Sequence, residues 1–577
     1  MKRSLIVDGQ ILQTGAWHRG MGKYILQVLD ELSRNFSQKT NIALLLNDRL
    51  PCDESRFETL QYLYPNIEIV HGNLPIPDKT QRKGEQRYKK QLNLCIDEHF
   101  PDTENFYLLT SLFLFDFYAE FPDNCHKLAM FYDLTPLLFW KDLGGYFPEG
   151  LYMERFSQLY DAEHIFAISE TTRQDLLTTL GLNPERVTNI NGGFTKIADK
   201  PNRPKGFTIP DKFILFPTGS LPHKNNQVTV KAFEQYCLKH KSNRKLLITS
   251  HFDDQVKRQL LALSKHIIFT ENVSDNELEW LYENAEAVIF SSKYEGLGMP
   301  ILDAIANKKP VIASQIPVFE EMSKRAFYFF DPESVDELES QIEQALSGDN
   351  FKSKLQHYPA IMDKYTWANT TQQLHSYVEH PIPNKVSDNR KVKPRIAVCS
   401  IHPGINDQIG RLSEQLYFSL RDNFQVEYYF DSNGQNFREI DRPTFLDSMD
   451  CKVFDISALG LTTYPKYAAV VYLLDAYAIP SRVAQRAVVL PGIVVSGNFS
   501  ELDRQGKLLK QLILANPDYN YVYNAKGFKE YQDIVSCILS KVTHLREHPS
   551  PSVSILKKGG SKRSMINQLK KVHEHDS

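Results

Sequence analysis

Short runs of consecutive apolar residues alternate with longer amphipathic stretches through the first part of the chain. The runs at residues 5–7, 42–46, 106–109 and 128–131 are too short for buried helices. Similar runs occur at residues 67–70 and 165–168, and a helical pattern covers residues 22–32. Strands that are apolar on both faces and separated by helices are typical of a parallel sheet covered on both sides. The pattern therefore predicts an α/β unit.

The same alternation starts again after a segment rich in proline and lysine at residues 200–206. Strands are predicted at residues 213–216, 245–249, 266–269, 287–290 and 310–313, with helices at 276–284 and 300–307. After a polar linker, a third unit has apolar runs at residues 395–400, 467–474 and 487–495. These shifts predict α/β domains at 1–203, 204–380 and 394–548, a linker at 381–393 and a flexible basic tail at 549–577.

Composition excludes several functional classes. The 577 residues include 67 Lys and Arg against 70 Asp and Glu, so the chain lacks the overall basic charge typical of nucleic-acid binders. Seven cysteines without a C-x-x-C pair argue against a disulfide framework or a zinc ribbon. No apolar run reaches the length needed to span a bilayer, and the first run is too short for a secretory signal. We expect a cytoplasmic protein, with the inner face of the membrane as an alternative location.

The segment from Ser291 to Ala304 has the strongest chemical pattern in the chain. Gly296 and Gly298 follow a predicted strand and precede a helix that begins near Pro300. Glycines allow backbone N–H groups to approach a ligand closely, and a helix N-terminus favours an anion such as a diphosphate. Glu295 precedes the helix, and Asp303, eight residues later, can bind a ribose diol. The alternative is an ordinary glycine turn with solvent-facing carboxylates.

This segment, followed by Lys309-Pro-Val-Ile-Ala-Ser314, resembles the retaining glycosyltransferases of family 4, which have the GT-B fold. That family has two glutamates separated by seven residues, where this chain has Glu295 and Asp303. The resemblance implies two Rossmann-like domains facing a cleft, plus the third smaller α/β domain. It also implies that Glu295 contacts the transferred sugar and that Asp303 binds the nucleotide ribose. Gly296, Leu297 and Gly298 would line the donor site.

The segment Pro217-Thr-Gly-Ser-Leu-Pro-His-Lys-Asn225 resembles the family's G-x-x-x-P-R-K-N segment. Lys224 is then the expected ligand of the donor diphosphate, since an ammonium group stabilises the charge of the leaving group. Gly219, Ser220 and His223 would contact the donor beside it. His223 or Ser220 occupies the region where the family usually has an arginine. The alternative for Lys224 is a surface lysine on a turn.

The segment Gly15-Ala-Trp-His-Arg-Gly-Met-Gly-Lys-Tyr24 resembles the family's R-G-I-G-R-Y loop. Gly20 and Gly22 would allow this loop to reach the donor phosphate or the acceptor hydroxyl across the cleft. Arg19 and Lys23 would supply positive charge on the acceptor side. A glycine pair is weak evidence by itself, and its position after the first strand gives it weight.

The segment Phe131-Tyr-Asp-Leu-Thr-Pro136 resembles the family's H-D-L-I-P segment. Tyr132 occupies the position of the family histidine near the reacting sugar, and Asp133 is kept. A tyrosine can donate a hydrogen bond but does not titrate near neutral pH as histidine does. The alternative for Asp133 is a turn residue before proline. A further stretch, Ser169 to Asp175, resembles the family's S-E-x-S-R-x-D and is interpreted as mostly structural.

The resemblance covers about residues 1–378 and implies a retaining hexosyltransferase that uses GDP-mannose or a UDP-hexose, with mannose as the first choice. The expected acceptor is a glycan or lipid-linked molecule in surface polysaccharide or lipopolysaccharide assembly. The chain contains no Asp-x-Asp, so we expect no metal and no other cofactor. One alternative is a catalytically weak scaffold that binds a sugar nucleotide beside a partner transferase, and another is a sugar-nucleotide epimerase of the same fold.

The third unit begins with strand, loop and helix in the same order as the first unit. Residues 395–416 and Pro491 to Gly497 resemble a degenerate GT-B N-terminal domain without a nucleotide-binding half. We expect residues 394–548 to bind an acceptor, a partner or a second copy. Two basic segments, Lys79–Lys90 and the tail at 549–577, are either solvated faces or contacts with an anionic membrane.

Overall fold

The computed structural model describes residues 2–381 apart from 18–19, 52–53, 78–83, 115, 140–154, 156–157, 181, 198–199, 272 and 349. Beyond residue 394 it describes six strands together with residues 417, 420 and 421. The chain divides into two compact units, residues 1–135 with 159–383 and residues 136–158 with 384–577. The predicted domain boundaries stay predictions, and linker residues 382–393 and the tail at 549–577 lie outside the described residues.

A sheet of seven parallel strands in the order β3-β2-β1-β4-β5-β6-β7 lies in the first part of the chain. Its strands are β1 (Lys2–Asp8), β2 (Asn41–Asn47), β3 (Glu68–Gly72), β4 (Thr103–Leu109), β5 (His126–Phe131), β6 (His164–Ala167) and β7 (Val187–Asn189). The helices between these strands in the sequence are α1 (Gly20–Asn35), α2 (Glu54–Leu63), α3 (Gly84–His99), α4 (Thr135–Leu138) and α5 (Glu170–Leu180). The six predicted apolar runs overlap β1 to β6, and only the short β7 lacked a signal.

The second sheet has six parallel strands in the order β10-β9-β8-β11-β12-β13. They are β8 (Phe213–Pro217), β9 (Lys245–Thr249), β10 (Ile267–Phe269), β11 (Ala287–Phe290), β12 (Val311–Ser314) and β13 (Tyr328–Phe330). The helices between them are α6 (Asn226–His240), α7 (Asp254–Leu263), α8 (Asp275–Asn284), α9 (Met299–Ala306), α10 (Pro317–Met322) and α11 (Val335–Ser347). The helices α12 (Phe351–Leu355), α13 (Tyr358–Lys364) and α14 (Trp367–Glu379) follow. The prediction of a second parallel α/β sheet is confirmed.

A third sheet belongs to the second compact unit and has the order β16-β15-β14-β17-β18-β19, again all parallel. Its strands are β14 (Arg395–Ser400), β15 (Gln425–Phe430), β16 (Lys452–Asp455), β17 (Tyr467–Leu474), β18 (Ile493–Ser496) and β19 (Tyr521–Asn524). This order equals that of the first six strands of the first sheet. The third parallel sheet was predicted, whereas its resemblance to a degenerate enzyme half and its binding role stay predictions.

Apolar periodicity and capping explain why the helices form where they do. Along α1 the buried residues Ile25, Val28, Leu29 and Leu32 recur at helical spacing and face the sheet core. At the start of α8 the side chain of Ser274 and the carboxylate at the third helical position form a capping box. These local signals explain where α1 and α8 form.

The last helix of the first compact unit, α14, packs against the first sheet and its helices although it follows the second. The indole Nε1 of Trp367 donates to Thr195 Oγ1 at 2.7 Å. His375 Nε2 lies 2.9 Å from Thr40 Oγ1, and the ring of Tyr377 stacks on His164 at 4.1 Å. One apolar core accordingly contains residues of both α/β halves. Residues 1–198 are called the first half and residues 199–380 the second half.

None of the helices among the described residues combines the length and the apolar character that crossing a bilayer requires.

Candidate active site

Two loops of the second half leave the sheet where its strand order reverses. The parallel neighbours β8 and β11 are followed by residues 218–225 and 291–298, respectively. In open α/β sheets, ligands bind outside the carboxyl ends of the strands at such a reversal. The first loop contains Lys224 and the second contains Glu295, so the topology brings together two residues that are far apart in the sequence.

The side chains of Lys224 and Glu295 form an ion pair between these loops. Lys224 Nζ lies 2.5 Å from Glu295 Oε1, and the hydroxyl of Ser292 donates to the same oxygen at 2.6 Å. Both charged side chains are mostly buried, with 25% and 20% of their surface exposed. A second hydroxyl, that of Ser291, donates to the Lys224 carbonyl at 3.0 Å and links the two loops.

Charge interactions determine the protonation state of this pair. Burial alone would raise the pKa of Glu295, but the positive charge of Lys224 and the hydrogen bonds from Lys224 and Ser292 outweigh it and lower that pKa. Burial and the neighbouring Lys224 lower the pKa of His223 to about 4. At neutral pH His223 is therefore a neutral imidazole beside the Lys224–Glu295 ion pair. A carboxylate beside an ammonium group can stabilise a positive charge on one side and an anion on the other.

The first half approaches this pair through the loop after β5. A Cβ added to Gly296 would overlap the carbonyl oxygen of Tyr132 and lie 3.1 Å from Asp133 Cβ. Asp133 Oδ1 accepts a hydrogen bond from the Thr135 N–H at 2.8 Å. Burial raises the pKa of Asp133, with the negative charge of Glu295 acting in the same direction. The structure thus brings together Tyr132, Asp133 and Glu295.

Tyr132 differs from the other residues of the site in its hydrogen bonding. Its side chain is 7% exposed, and among the described residues its hydroxyl has no hydrogen-bond partner. Its ring packs edge-on against Tyr24 with the centroids 5.8 Å apart. Burial raises the pKa of Tyr132, so the hydroxyl stays protonated and can donate a hydrogen bond.

The loop from Glu295 continues into α9 through two tightly packed residues. Gly298 has φ = 82°, a left-handed conformation that favours glycine, and a Cβ there would lie 2.6 Å from Phe319 Cε1. Leu297 is buried, and a Cβ on Gly192 would lie 2.6 Å from its Cδ2. This packing fixes how the loop after Glu295 leads into α9, whose N-terminus begins four residues later at Met299.

The N-terminus of α1 faces that of α9 across the two halves. A Cβ on Gly20 would lie 3.6 Å from Met299 Cε, and Gly22 packs against the backbone of residues 16–17. Lys23 Nζ lies 3.2 Å from Asp275 Oδ1 of the second half, in an exposed ion pair. Arg19 lies outside the described residues.

Asp303 lies on α9, where the charges that act on it are those of Glu279, Lys23 and Asp275. Burial raises the pKa of Asp303 well above its ordinary value, and Glu279 and Asp275 act in the same direction against the opposing charge of Lys23. In the loop after β8, Ser220 is exposed, and the carbonyl of Gly219 accepts a hydrogen bond from Asn226 Nδ2 at 2.8 Å. The roles predicted for these three residues stay predictions.

Several residues of the site were missed by the sequence reasoning. Ser292 and Tyr294 lie inside the segment that the glycines identified, but nothing in the pattern distinguishes them. Tyr294 donates to Asp175 Oδ2 at 2.8 Å and accepts from the Leu134 N–H at 3.0 Å. Thr172, in a stretch interpreted as structural, contacts the Gly296 carbonyl oxygen at 3.2 Å. A hydroxyl two residues after a helix start is too common to signal such a contact.

Within the described residues, one group could supply three metal ligands, namely His240, Glu339 and Glu343 on α6 and α11. Lys239 Nζ already lies 3.2 Å and 2.8 Å from the two carboxylates. This surface cluster is therefore explained as an ion-pair network, and it contains none of the residues nominated for the site.

Residues 199–360 match the family described as glycosyl transferases group 1. This range contains both loops of the site and the helix α9. The predicted resemblance is confirmed for this part of the chain.

Named relatives point in the same direction. The serotype-specific mannosyltransferase WbdA of Escherichia coli is 26% identical over 256 residues, which cover 41% of this chain and 31% of WbdA. The O-antigen chain mannosyltransferase RfbU of Salmonella typhimurium is 25% identical over 220 residues, which cover 37% of this chain and 59% of RfbU. The match thus spans about a third of WbdA. Among solved structures, a sucrose-phosphate synthase from Thermosynechococcus elongatus aligns with a TM-score of 0.48 at 12% identity, covering 66% of this chain and 98% of that chain.

Proposed function

We propose that this chain, which contains a glycosyltransferase group 1 domain, transfers a hexose from a nucleotide-diphospho-sugar to a glycan or lipid-linked acceptor with retention of configuration. The observation that carries the proposal is the Lys224–Glu295 pair at the strand-order reversal, next to the N-terminus of α9. A cation and free N–H groups bind a diphosphate, and a carboxylate beside them stabilises the positive charge that develops on the sugar.

In the proposed reaction the bond between the sugar C1 and the diphosphate oxygen breaks while the acceptor oxygen bonds to C1 from the same side. The acceptor proton passes to an oxygen of the departing phosphate, so no protein base is needed. Lys224 neutralises the leaving group, and Glu295, released from its ion pair, faces the oxocarbenium-like centre. Tyr132 and Asp133 contact the sugar from the first half.

Mannose is the proposed sugar and GDP-mannose the proposed donor, with UDP-hexoses as the next choice. Two relatives are named as mannosyltransferases, and both carry names that refer to a serotype or to the O-antigen chain. Surface polysaccharide assembly is accordingly the proposed setting.

The test is turnover by the full chain with GDP-mannose and, separately, UDP-glucose. We expect slow donor hydrolysis with release of the nucleoside diphosphate, and loss of at least 100-fold in the rate for Glu295→Gln. Glu343→Gln, which removes an exposed carboxylate far along the sequence on α11, is the matched control and should retain the rate. Interconversion of free sugar nucleotides without transfer or hydrolysis would replace the proposal by an epimerase.

Metal independence is part of the proposal, because Lys224 and the α9 N-terminus supply the positive charge. Donor turnover should be unchanged by EDTA and should not rise with Mg²⁺ or Mn²⁺. Loss of activity in EDTA, restored by either cation, would contradict it.

A second candidate is a catalytically weak subunit that binds a sugar nucleotide and supports a partner transferase. The buried hydroxyl of Tyr132, at the position where the resembling family has histidine, favours it. Saturable binding of GDP or UDP without turnover of any donor in a panel would support this candidate over the first.

Contact with an anionic bilayer is proposed for the exposed stripe on α3. Arg87, Lys90 and Leu94 are exposed at helical spacing, and 52% of Leu94 is accessible. Sedimentation with vesicles of phosphatidylglycerol and phosphatidylcholine should fall for Arg87→Glu with Lys90→Glu. The control pair, Lys231→Glu with Lys265→Glu, makes the same charge change elsewhere and should sediment as the wild type does. Residues 79–83 of the predicted basic segment lie outside the described residues.

A further inference from the structure

The first turn of α5 in the first half is capped by a carboxylate of the second half. The Glu170 N–H donates to Glu321 Oε1 at 2.8 Å, and the Thr171 N–H donates to Oε2 at 2.8 Å. The Thr171 hydroxyl donates to the same Oε2 at 3.0 Å. Glu321 lies on α10, 150 residues further along the chain. Both carboxylate oxygens are thus used to complete a helix of the other half.

A helix needs such partners because its first N–H groups have none within the helix. Inside the first half, Ser169 supplies only one, accepting from the Thr172 N–H at 2.9 Å. Charge-assisted hydrogen bonds at the positive end of a helix are stronger than neutral ones. The Glu321 contacts therefore favour the arrangement in which the two halves are together.

The same helix also contacts the loop that contains Glu295. Tyr294, which precedes Glu295, donates its hydroxyl hydrogen to Asp175 on α5. The carbonyl of Gly296, which follows Glu295, lies 3.2 Å from the Thr172 hydroxyl. Residues on both sides of Glu295 are thus held by α5.

We infer that Glu321 is a positioning residue that couples the approach of the two halves to the placement of Glu295. When Glu321 caps α5, the helix is fixed against the second half and its Thr172 and Asp175 side chains hold residues 294 and 296. When the cap is broken, the loop loses its support from the first half. Glu321 touches neither substrate nor the Lys224–Glu295 pair in this scheme. The inference rests on the proposed function for its kinetic part only.

The first test uses steady-state kinetics of the full chain. Glu321→Ala should lower kcat for donor turnover by about tenfold or more while the donor KM changes less than threefold, because the donor phosphate ligands lie in the second half. Glu321→Gln retains one oxygen acceptor, so its kcat should lie between those of Glu321→Ala and the wild type. The control is Glu320→Ala, since Glu320 is the adjacent carboxylate and bonds Gln315 of its own half. Unchanged kcat in a folded Glu321→Ala protein overturns the inference.

Tyr294→Phe removes the hydroxyl that bonds Asp175 and the Leu134 N–H and keeps the ring. It should also lower kcat. The fold decrease in kcat for the double variant with Glu321→Ala should be smaller than the product of the two single decreases, because both residues act through α5. If the two decreases in kcat multiply in the double variant, the two residues do not act through the same helix.

A second readout does not depend on turnover. Amide hydrogen exchange of a peptide covering residues 169–173 should be faster in Glu321→Ala than in the wild type, and saturating GDP or UDP should slow it only in the wild type. If no donor is turned over but this difference is found, the proposed function fails and the coupling stands. If exchange and its response to nucleotide are the same in both proteins, the coupling is wrong whatever the activity.

Discussion

Lys224 Nζ lies 2.5 Å from Glu295 Oε1, although the two residues follow different strands and are 71 positions apart. The pair is mostly buried, and its carboxylate is also bound by Ser292. In the proposed function Lys224 leaves this carboxylate when it binds the donor diphosphate, so the pair would be present only before the donor binds. The stability and the activity of the protein should therefore respond differently to changes in this pair.

A double-mutant cycle on Lys224→Met and Glu295→Gln should give a coupling energy of about 1–3 kcal/mol in the free energy of unfolding, since removing one partner leaves a partly buried charge. Denaturant unfolding measures it. The same cycle on the solvent-exposed pair Lys239 and Glu343 should give a clearly smaller coupling energy, because solvent screens exposed charges. Equal coupling in the two pairs would show that burial does not strengthen the site pair.

Gly296→Ala should destabilise the protein by about 1–3 kcal/mol and strongly reduce donor turnover, because its methyl group would overlap the Tyr132 carbonyl. The two halves must then move apart at the loop that holds Glu295. Thermal unfolding gives the stability change, with Gly219→Ala as the steric control, since nothing lies within 4 Å of a Cβ there. A Gly296→Ala protein as stable as Gly219→Ala would show that the halves do not meet at this loop.

Tyr132→Phe should leave the free energy of unfolding unchanged or raise it by about 1–2 kcal/mol, because it removes a buried hydroxyl that has no partner among the described residues. If that hydroxyl donates to the bound sugar, turnover should nevertheless fall by about tenfold. Tyr24→Phe is the control: the Tyr24 hydroxyl donates to the Asn191 carbonyl, so its removal should destabilise. A Tyr132→Phe protein that is less stable would mean that the hydroxyl has a partner in solution.

Stability should fall as the pH is lowered from about 6.5 to 4, and His164 should contribute to this loss. Burial, followed by the charge of Arg186, lowers the pKa of His164 to about 4. In the unfolded chain the histidine has a pKa near 6.5, so it binds a proton at a higher pH there than in the folded protein. This difference favours unfolding by up to roughly 3 kcal/mol near pH 4. Melting temperatures measured across this range should decrease less steeply for His164→Gln.

The control for that measurement is His251→Gln, whose side chain is 73% exposed. It should follow the pH dependence of the wild type. Burial raises the pKa of Asp8 to about 6, so protonation of Asp8 stabilises the folded protein over the pH range in which protonation of His164 destabilises it. The melting temperature of each variant is therefore compared with that of the wild type at the same pH. Parallel curves for His164→Gln and the wild type would contradict the prediction.

The elements of the fold could be predicted wherever the local sequence carries the signal. Apolar runs identified the strands of residues 5–7, 213–216 and 287–290, because a strand in a parallel sheet is buried on both faces and needs consecutive apolar residues. The three-residue strands β7 and β13 were missed, whereas the equally short β10 was predicted at residues 266–269. Glycines and a proline marked the Glu295 loop for the same local reason, as only glycine has a low steric cost at the φ of Gly298.

The sequence by itself determined the two main α/β sheets and the two loops that contain Lys224 and Glu295, because strand burial and loop backbone geometry depend on neighbouring residues. Only the tertiary structure decided that these two side chains meet, that Tyr132 approaches Gly296, and that Glu321 caps a helix in the other half. Those contacts join residues 71 to 164 positions apart. Strand order and the packing of the two halves decide which residues make these contacts. Neither produces a periodic pattern in the sequence.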